Sequence, residues 1–216
     1  VENVYQVKDD NIDNFGFKNI QHLIHNTAEG QIHTGQMMAT LLEKATTLGV
    51  KILNGITIED IEEHHNNVTL KTQLGGTITA SKVIVATNGF AKKLLPKLAV
   101  QPARNQVLIT KPIPDLKIKG CFHYEQGYYY FRNVGNRVLF GGGRNLDKAT
   151  ENTSEINLTE TIQNKLDELL KEVILSYQKN IKIEMRWAGI MGVGNTKTTI
   201  VKQLDKNIYC AVRMGG

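Results

Sequence analysis

Four consecutive apolar residues, Val83-Ile84-Val85-Ala86, run straight into Thr87-Asn88-Gly89 with no alternation of polar and apolar side chains. A strand with one wet face alternates. A short unbroken apolar run closed by glycine suits a strand covered on both faces, as in a parallel sheet. Parallel strands need crossover connections, so this run asks for an α/β unit around it. The preceding sequence supplies one. Met37, Leu41, Ala45 and Leu48 fall on one helical stripe, Thr34 is the expected N-cap, and Gly49 is the expected stop. Val50-Lys51-Ile52-Leu53 then reads as a strand. Ile56, Ile58 and, after a slip, Ile61 continue extended chain. His64–Asn67 and Gly75-Gly76 read as turns, and Val68, Leu70 and Ile78 alternate with polar residues. Residues 56–80 are therefore expected to form a small antiparallel meander inserted into the α/β unit.

All four prolines lie between residues 96 and 114, and the style of the chain changes there. Val107–Thr110, Gly127–Arg132 and Arg137–Gly141 read as strands of an antiparallel sheet. Leu158, Ile162, Leu166, Leu169, Leu170 and Val173 form one helical stripe, with Asn157 as expected cap and Glu160 three residues on. Ile183–Met191, Thr198–Val201 and Asn207–Val212 read as closing strands. On Tyr128-Tyr129-Tyr130-Phe131-Arg132, strand alternation puts Tyr128, Tyr130 and Arg132 on one face. Tyr129 and Phe131 point to the other, toward the long helix.

A chain of 216 residues can bury about 70% of the surface its unfolded form exposes, so its core needs neither disulfides nor zinc. Cys121 and Cys210 form no CxxC pair, which fits free thiols in a reducing, cytoplasmic setting. The 26 basic residues exceed the 21 acidic ones by five, but they are scattered singly among the acids. That pattern describes a solvated surface and no nucleic-acid partner. No apolar run approaches the roughly 20 residues a membrane helix needs. The chain starts at Val1 and stops at Gly215-Gly216 after a strand-like run, so an internal piece of a longer protein is expected.

Several motifs weaken on inspection. Gly189–Gly194 has the glycine spacing of a phosphate-binding loop, but Asn195 stands where the phosphate-binding lysine belongs. A turn between strands is the expectation there. His64 and His65 are adjacent, point to opposite faces, and have no partner cluster at zinc spacing, so no metal site is expected. Gly141-Gly142-Gly143 is either a turn or a backbone that comes close to a flat ligand.

Several segments together resemble one family. They are Gln31-Ile32-His33-Thr34-Gly35, Leu48–Ile52, Val83–Phe90, Tyr130-Phe131-Arg132, Arg137–Gly143, Arg186-Trp187-Ala188-Gly189 and Asn207–Ala211. In their order and spacing they resemble the FAD-dependent amino-acid and amine oxidoreductases of the D-amino-acid oxidase-like family, on the side of glycine oxidase and gamma-glutamylputrescine oxidoreductase. The resemblance implies part of a Rossmann-like FAD-binding domain plus an antiparallel-sheet substrate domain with a long helix. Residues 1–90 would hold the partial FAD domain, 91–183 the substrate domain, and 184–216 the return strands. The family's N-terminal GxGxxG and its C-terminal helix are absent from this sequence.

By the same resemblance, Ile58 would pair with the adenine edge, and Ala86, Thr87, Asn88 and Gly89 would approach the adenosine. Gly189, Met191, Met214, Gly215 and Gly216 would lie near the isoalloxazine ring. Tyr128, Tyr130 and Arg132 would face the substrate. Glycine oxidase-like members place an arginine at the position of Met191; a thioether cannot hold a carboxylate, so either Arg132 or Arg213 supplies that charge or the substrate is an amine without a nearby carboxylate. The implied activity is oxidation of the C–N bond of an amino acid or amine by hydride transfer to FAD. No catalytic acid or base stands out, and the electron acceptor is left open. A non-catalytic binding or regulatory domain, and a nucleotide-binding module on Gly189–Gly194, are the alternatives.

Overall fold

The computed structural model describes residues 4–214. In chain order its elements are β1 (Tyr5–Val7), α1 (Ile12–Phe15), β2 (Ile24–Asn26), α2 (Thr34–Thr47), β3 (Ile58–Glu63), β4 (Val68–Thr72), β5 (Thr77–Ala80), β6 (Val83–Val85) and α3 (Ala91–Leu94). They continue with β7 (Gln101–Thr110), β8 (Cys121–Tyr124), β9 (Tyr129–Val134), β10 (Arg137–Gly142), α4 (Lys148–Glu151), α5 (Glu160–Leu169), β11 (Ile183–Val193), β12 (Ile200–Gln203) and β13 (Ile208–Val212). They fall into two compact units, each built from separated stretches of chain. Unit 1 takes the residues up to Gln31, Arg104–Glu151 and Glu155–Gly189; unit 2 takes Ile32–Ala103, Asn152–Ser154 and the chain from Ile190 onward.

Unit 1 is an antiparallel sheet in the order β11-β7-β10-β9-β8, with α5 on one face. Alternation decides which side chains meet the helix. Leu108, Tyr129, Phe131, Val138 and Phe140 are buried in one cluster with Ile162, Leu166, Leu169, Leu170 and Val173 of the helical stripe. Tyr129 and Phe131 thus point to the helix as the alternation requires. After Leu169 the helix widens into a π turn over Leu170–Ile174, closed by the Leu175 N–H donating to the Leu170 carbonyl at 2.8 Å. The extra residue brings Ile174 into the same core. The helix starts two residues later than expected, after Thr159 rather than Asn157. The Thr159 hydroxyl makes no cap. It accepts from Gln106 Nε2 at 2.8 Å and donates to Glu151 at 3.2 Å, inside the unit.

The same helix-facing side of β7 carries a buried polar chain. Arg104 grips Glu151 through Nε at 2.9 Å and Nη2 at 2.7 Å, and Gln106 Nε2 donates to Glu151 at 3.0 Å. Gln163 Nε2 donates to Gln106 at 3.1 Å, and Arg186 Nη1 donates to Gln163 at 2.6 Å. The Arg186 Nη2 also holds Asp167 bidentately. Near the N-terminus, β1 and β2 pair antiparallel, a ribbon that the mixed polar sequence of residues 1–30 did not signal.

Unit 2 contains α2, the meander β3-β4-β5 and a second sheet in the order β12-β13-β6. The meander follows expectation, including the slip, which is a register shift between Ile58 and Asp60. Strand β6 pairs with β13 in parallel, Val83 with Ile208 and Val85 with Cys210. Val85, Ala91, Leu98, Val100, Cys210 and Val212 form the unit's core.

Three expectations are corrected here. The His33 ring, not Thr34, caps α2, its Nδ1 accepting from the Gln36 N–H at 3.1 Å. Val50–Leu53 is not a strand; it is extended chain with no ladder partner among the described residues. Strand β6 is not central either. Among the described residues it pairs on one side only, and Ile84 is 68% exposed while Val85 is buried. An apolar run reports what a strand is suited to; pairing requires a neighbour on each side. No helix among the described residues is long and apolar enough to cross a membrane.

Candidate functional site

In unit 2 the candidate residues gather at the carboxyl end of the parallel pair, where ligands bind in open α/β sheets. After Val85 the chain passes Ala86 and Thr87 and turns at Asn88, whose φ is +48°. The Asn88 Oδ1 accepts from the N–H groups of Arg213 at 2.9 Å and Met214 at 3.1 Å, stitching the ends of β6 and β13 together. Glycines make the fit possible. A Cβ at Gly89 would stand 2.4 Å from the Met191 carbonyl oxygen, and one at Gly192 would stand 2.5 Å from Asn88 Oδ1. Asn88, Gly89, Met191, Arg213 and Met214 are therefore brought together.

The Arg213 side chain has a different occupation from the one expected. It is 9% exposed, and its guanidinium donates to the Thr198 carbonyl at 2.6 Å, Thr196 Oγ1 at 2.7 Å and the Ala99 carbonyl at 3.3 Å. Gly189–Val193 lies along β11 rather than in a turn, so the glycine spacing there belongs to a strand and not to a phosphate loop. A Cβ added at Gly189 would meet nothing within 4 Å. Gly215 and Gly216 lie outside the described residues.

Beside this node is a cavity of about 610 Å³ that brings Ile58, Ala86 and Thr87 into one lining. Leu70, Leu94 and Lys93 join them; no local pattern singles these out, since they meet only when the meander folds beside β6. The lining is mainly aliphatic, with Thr57, Thr87 and the exposed Lys93 as its polar residues. Aliphatic walls suit a flat heteroaromatic ring, and a hydroxyl and an ammonium suit ribose and phosphate oxygens.

In unit 1, Tyr130 and Arg132 lie on the sheet face away from α5. Pairing across the strands places Val107, Gly141, Tyr130 and His123 in one row, and Ile109, Leu139, Arg132 and Cys121 in the next. The three glycines Gly141–Gly143 are accounted for by the chain itself. A Cβ at Gly141 would stand 2.7 Å from the Tyr130 hydroxyl, and Gly142 and Gly143 adopt φ of +121° and +80° against Tyr128 and Tyr129. Burial of the Tyr130 phenol pushes its pKa up to about 12, so the hydroxyl stays protonated. Tyr128 sits just before β9 and is largely exposed. A larger cavity of about 930 Å³ lies between the β1–β2 ribbon and edge strand β8, but its lining is mostly exposed and includes neither Tyr130 nor Arg132.

The family profile described as FAD dependent oxidoreductase (DAO) matches residues 9–216. The chain belongs to this family, whose cofactor is FAD. The bifunctional protein ThiO/ThiG of Synechocystis sp. (strain ATCC 27184 / PCC 6803 / Kazusa) is 32% identical over 134 residues, covering 59% of this chain and 20% of that protein. The fold matches the crystal structures of L-proline dehydrogenase from P. horikoshii (TM-score 0.76, 18% identity) and glycine oxidase from Geobacillus kaustophilus (TM-score 0.76, 16% identity). Each match covers 96% of this chain, and 58% and 57% of those chains respectively, so the chain spans little more than half of either.

Proposed function

We propose that this chain is part of a flavoenzyme that oxidises the C–N bond of an amino acid or amine, with FAD held by unit 2 and substrate by the open sheet face of unit 1. The observation that carries this reading is the family match over residues 9–216. The unit-2 cavity suits the adenosine half of FAD: Ile58 and the aliphatic walls for the ring, Thr87 and Lys93 for oxygen atoms. Ala86, Asn88, Gly89, Gly189, Met191 and Met214, with Gly215 and Gly216, are the further residues proposed to approach the cofactor. FAD, when bound, supplies the hydride acceptor.

The chain's own residues orient the substrate. Arg132 holds a carboxylate bidentately, a role that Met191 cannot fill. The Tyr130 hydroxyl, kept protonated by burial, donates to the same substrate. Arg213 is spent on its own chain. The proton that the amine gives up passes to solvent water. The substrate carbon loses a hydride and the nitrogen a proton; the imine formed is then hydrolysed by water.

The test uses the protein expressed from its full coding sequence. It should purify yellow or take up FAD stoichiometrically, and an amine panel should bleach the visible flavin bands under anaerobic conditions. Arg132→Met should raise KM for a carboxylate-bearing amine roughly 10- to 150-fold, the loss of one charge-assisted pair, at unchanged flavin content. A protein that takes up no FAD, or whose bound FAD no amine reduces, would refute the reading.

A further inference from the structure

The dipeptide Asn-Gly occurs at Asn54-Gly55 and again at Asn88-Gly89. Asparagine is a thermolabile residue, and a following glycine makes it more so. The glycine backbone nitrogen lies one ring closure from the asparagine Cγ, and glycine has no Cβ to obstruct the approach. When that nitrogen attacks, its bond to Cγ forms and the bond from Cγ to Nδ2 breaks. Ammonia leaves, carrying the glycine's amide proton. Water then opens the cyclic imide at either of its two carbonyls. One opening gives aspartate. The other gives isoaspartate, whose main chain runs through the former side chain and is one carbon longer.

The fold treats the two copies of this dipeptide differently. Asn88 Oδ1 accepts from the N–H groups of Arg213 and Met214, at 2.9 and 3.1 Å, which fixes the carboxamide. The Phe90 N–H donates to the Thr87 carbonyl at 3.0 Å and fixes the turn between them. Gly89 is buried; a Cβ on it would stand 2.4 Å from the Met191 carbonyl oxygen, and one on Gly192 would stand 3.1 Å from the Gly89 nitrogen. Neither atom of the reacting pair at Asn88-Gly89 has room to swing toward the other. Asn54 lies in the opposite setting. Every residue from Thr46 to Thr57 is exposed, and Val50–Leu53 is extended chain outside any ladder among the described residues. Gly55 has φ of +74°, and a Cβ on it would meet nothing within 4 Å.

We infer that Asn54 is a site of spontaneous, water-dependent conversion to isoaspartate, that Asn88 is held from the same reaction by its fold, and that conversion at Asn54 disturbs the unit-2 cavity. The last step follows from position. Ile56, Thr57 and Ile58 line that cavity. Downstream the chain is pinned, with the Gln73 N–H donating to the Thr57 carbonyl at 3.0 Å and Ile58 paired with Thr72. Upstream it is pinned where the Val50 N–H donates to the Ala45 carbonyl at 3.1 Å. An extra main-chain carbon at residue 54 is therefore taken up between these pins, and Ile56 moves with it. That FAD reports on this cavity rests on the flavoenzyme reading above; the chemistry at Asn54 does not.

The test warms the protein made from its full coding sequence at mildly alkaline pH. Its peptides are then followed by mass, and isoaspartate is counted by methyl transfer from S-adenosylmethionine with an isoaspartyl methyltransferase as reagent. In the native protein Asn54 should convert at least roughly tenfold faster than Asn88, which reacts only in molecules whose node has opened. In urea the two should convert at similar rates. Asn54→Gln, whose ring closure needs one more atom, should remove the native isoaspartate and leave FAD uptake unchanged, before and after warming. Warmed wild-type protein should take up FAD more weakly than fresh protein. Fresh Asn54→Asp, which adds the charge without the extra carbon, should take it up normally. Equal native rates at the two asparagines, or an Asn54 that reacts in urea and not in the native protein, would overturn the site. Unchanged FAD uptake by fully converted protein would overturn the effect on the cavity. A fresh protein that takes up no FAD would remove the flavoenzyme reading, and the rates at Asn54 and Asn88 would still decide the site.

Discussion

Glu151 is 1% exposed and faces two opposing influences. Burial raises its carboxyl; the Arg104 guanidinium, with Gln106 and Thr159, outweighs that and holds it below the ordinary glutamate range. A carboxyl depressed in the folded state contributes stability above its unfolded pKa, about 4.3, and that stability is lost as pH falls through the folded value. Glu151→Gln keeps the shape and strands Arg104 without its anion. Urea unfolding near neutral pH should show a loss of about 3–5 kcal/mol. The loss should shrink as pH falls below the ordinary glutamate range and through the folded value, where wild-type Glu151 itself protonates. Neither member of this pair was legible in the sequence. The strand expected at Val107–Thr110 starts after Arg104 and Gln106, whereas β7 begins at Gln101, and Glu151 lies in a short helix far along the chain with no local pattern linking the two. Tyr130 and Arg132 were partly legible. Parity placed them on one face, yet the ring lying over Gly141 depends on a neighbouring strand.

Elements were legible where their periodicity matched what covers them. The stripe from Ile162 to Val173 predicted its helix because every member meets the sheet. The meander was legible for the same reason, its alternation and turn residues agreeing. Val50–Leu53 and β6 show the limit. Both carry the residues of buried parallel strands, but a ladder needs a partner, and one flank of β6 has none among the described residues. The inner face of β6 still packs: Val85 lies in the unit-2 core with Ala91, Leu98 and Val212. Val85→Asp would put an unpaired charge there and should cost more than about 3 kcal/mol. Thermal melting followed by far-ultraviolet dichroism checks this; an unchanged melting temperature would mean that β6 contributes nothing to the core.

At the scale of the whole molecule, the family was legible in the sequence because its short motifs are spread over nearly the entire chain. The composition of the units was less so. A scan draws domains as consecutive blocks, whereas each unit here gathers strands from distant stretches. The two cysteines offer a probe of each unit by itself. Cys121 is exposed in unit 1 and Cys210 is buried in unit 2. A thiol reagent should label one cysteine promptly in the native protein and the second only at the rate at which unit 2 opens. Prompt labelling of both would contradict the unit-2 core.

The parallel pairing of β6 with β13 has a consequence for the order in which the molecule is made. Val83 and Ile208 are neighbours in the ladder but well over a hundred residues apart in the chain. At about 5–20 residues per second, β6 leaves the ribosome many seconds before the strand it pairs with exists. During that interval the apolar run Val83–Ala86 has no ladder partner among the described residues, and all of β7 to β12 is synthesised. The antiparallel neighbours β9 and β10, joined by a two-residue turn at Gly135-Asn136, can close within microseconds of emerging. Unit 2 thus cannot complete the β13–β6 pairing until nearly the whole of this sequence has been made.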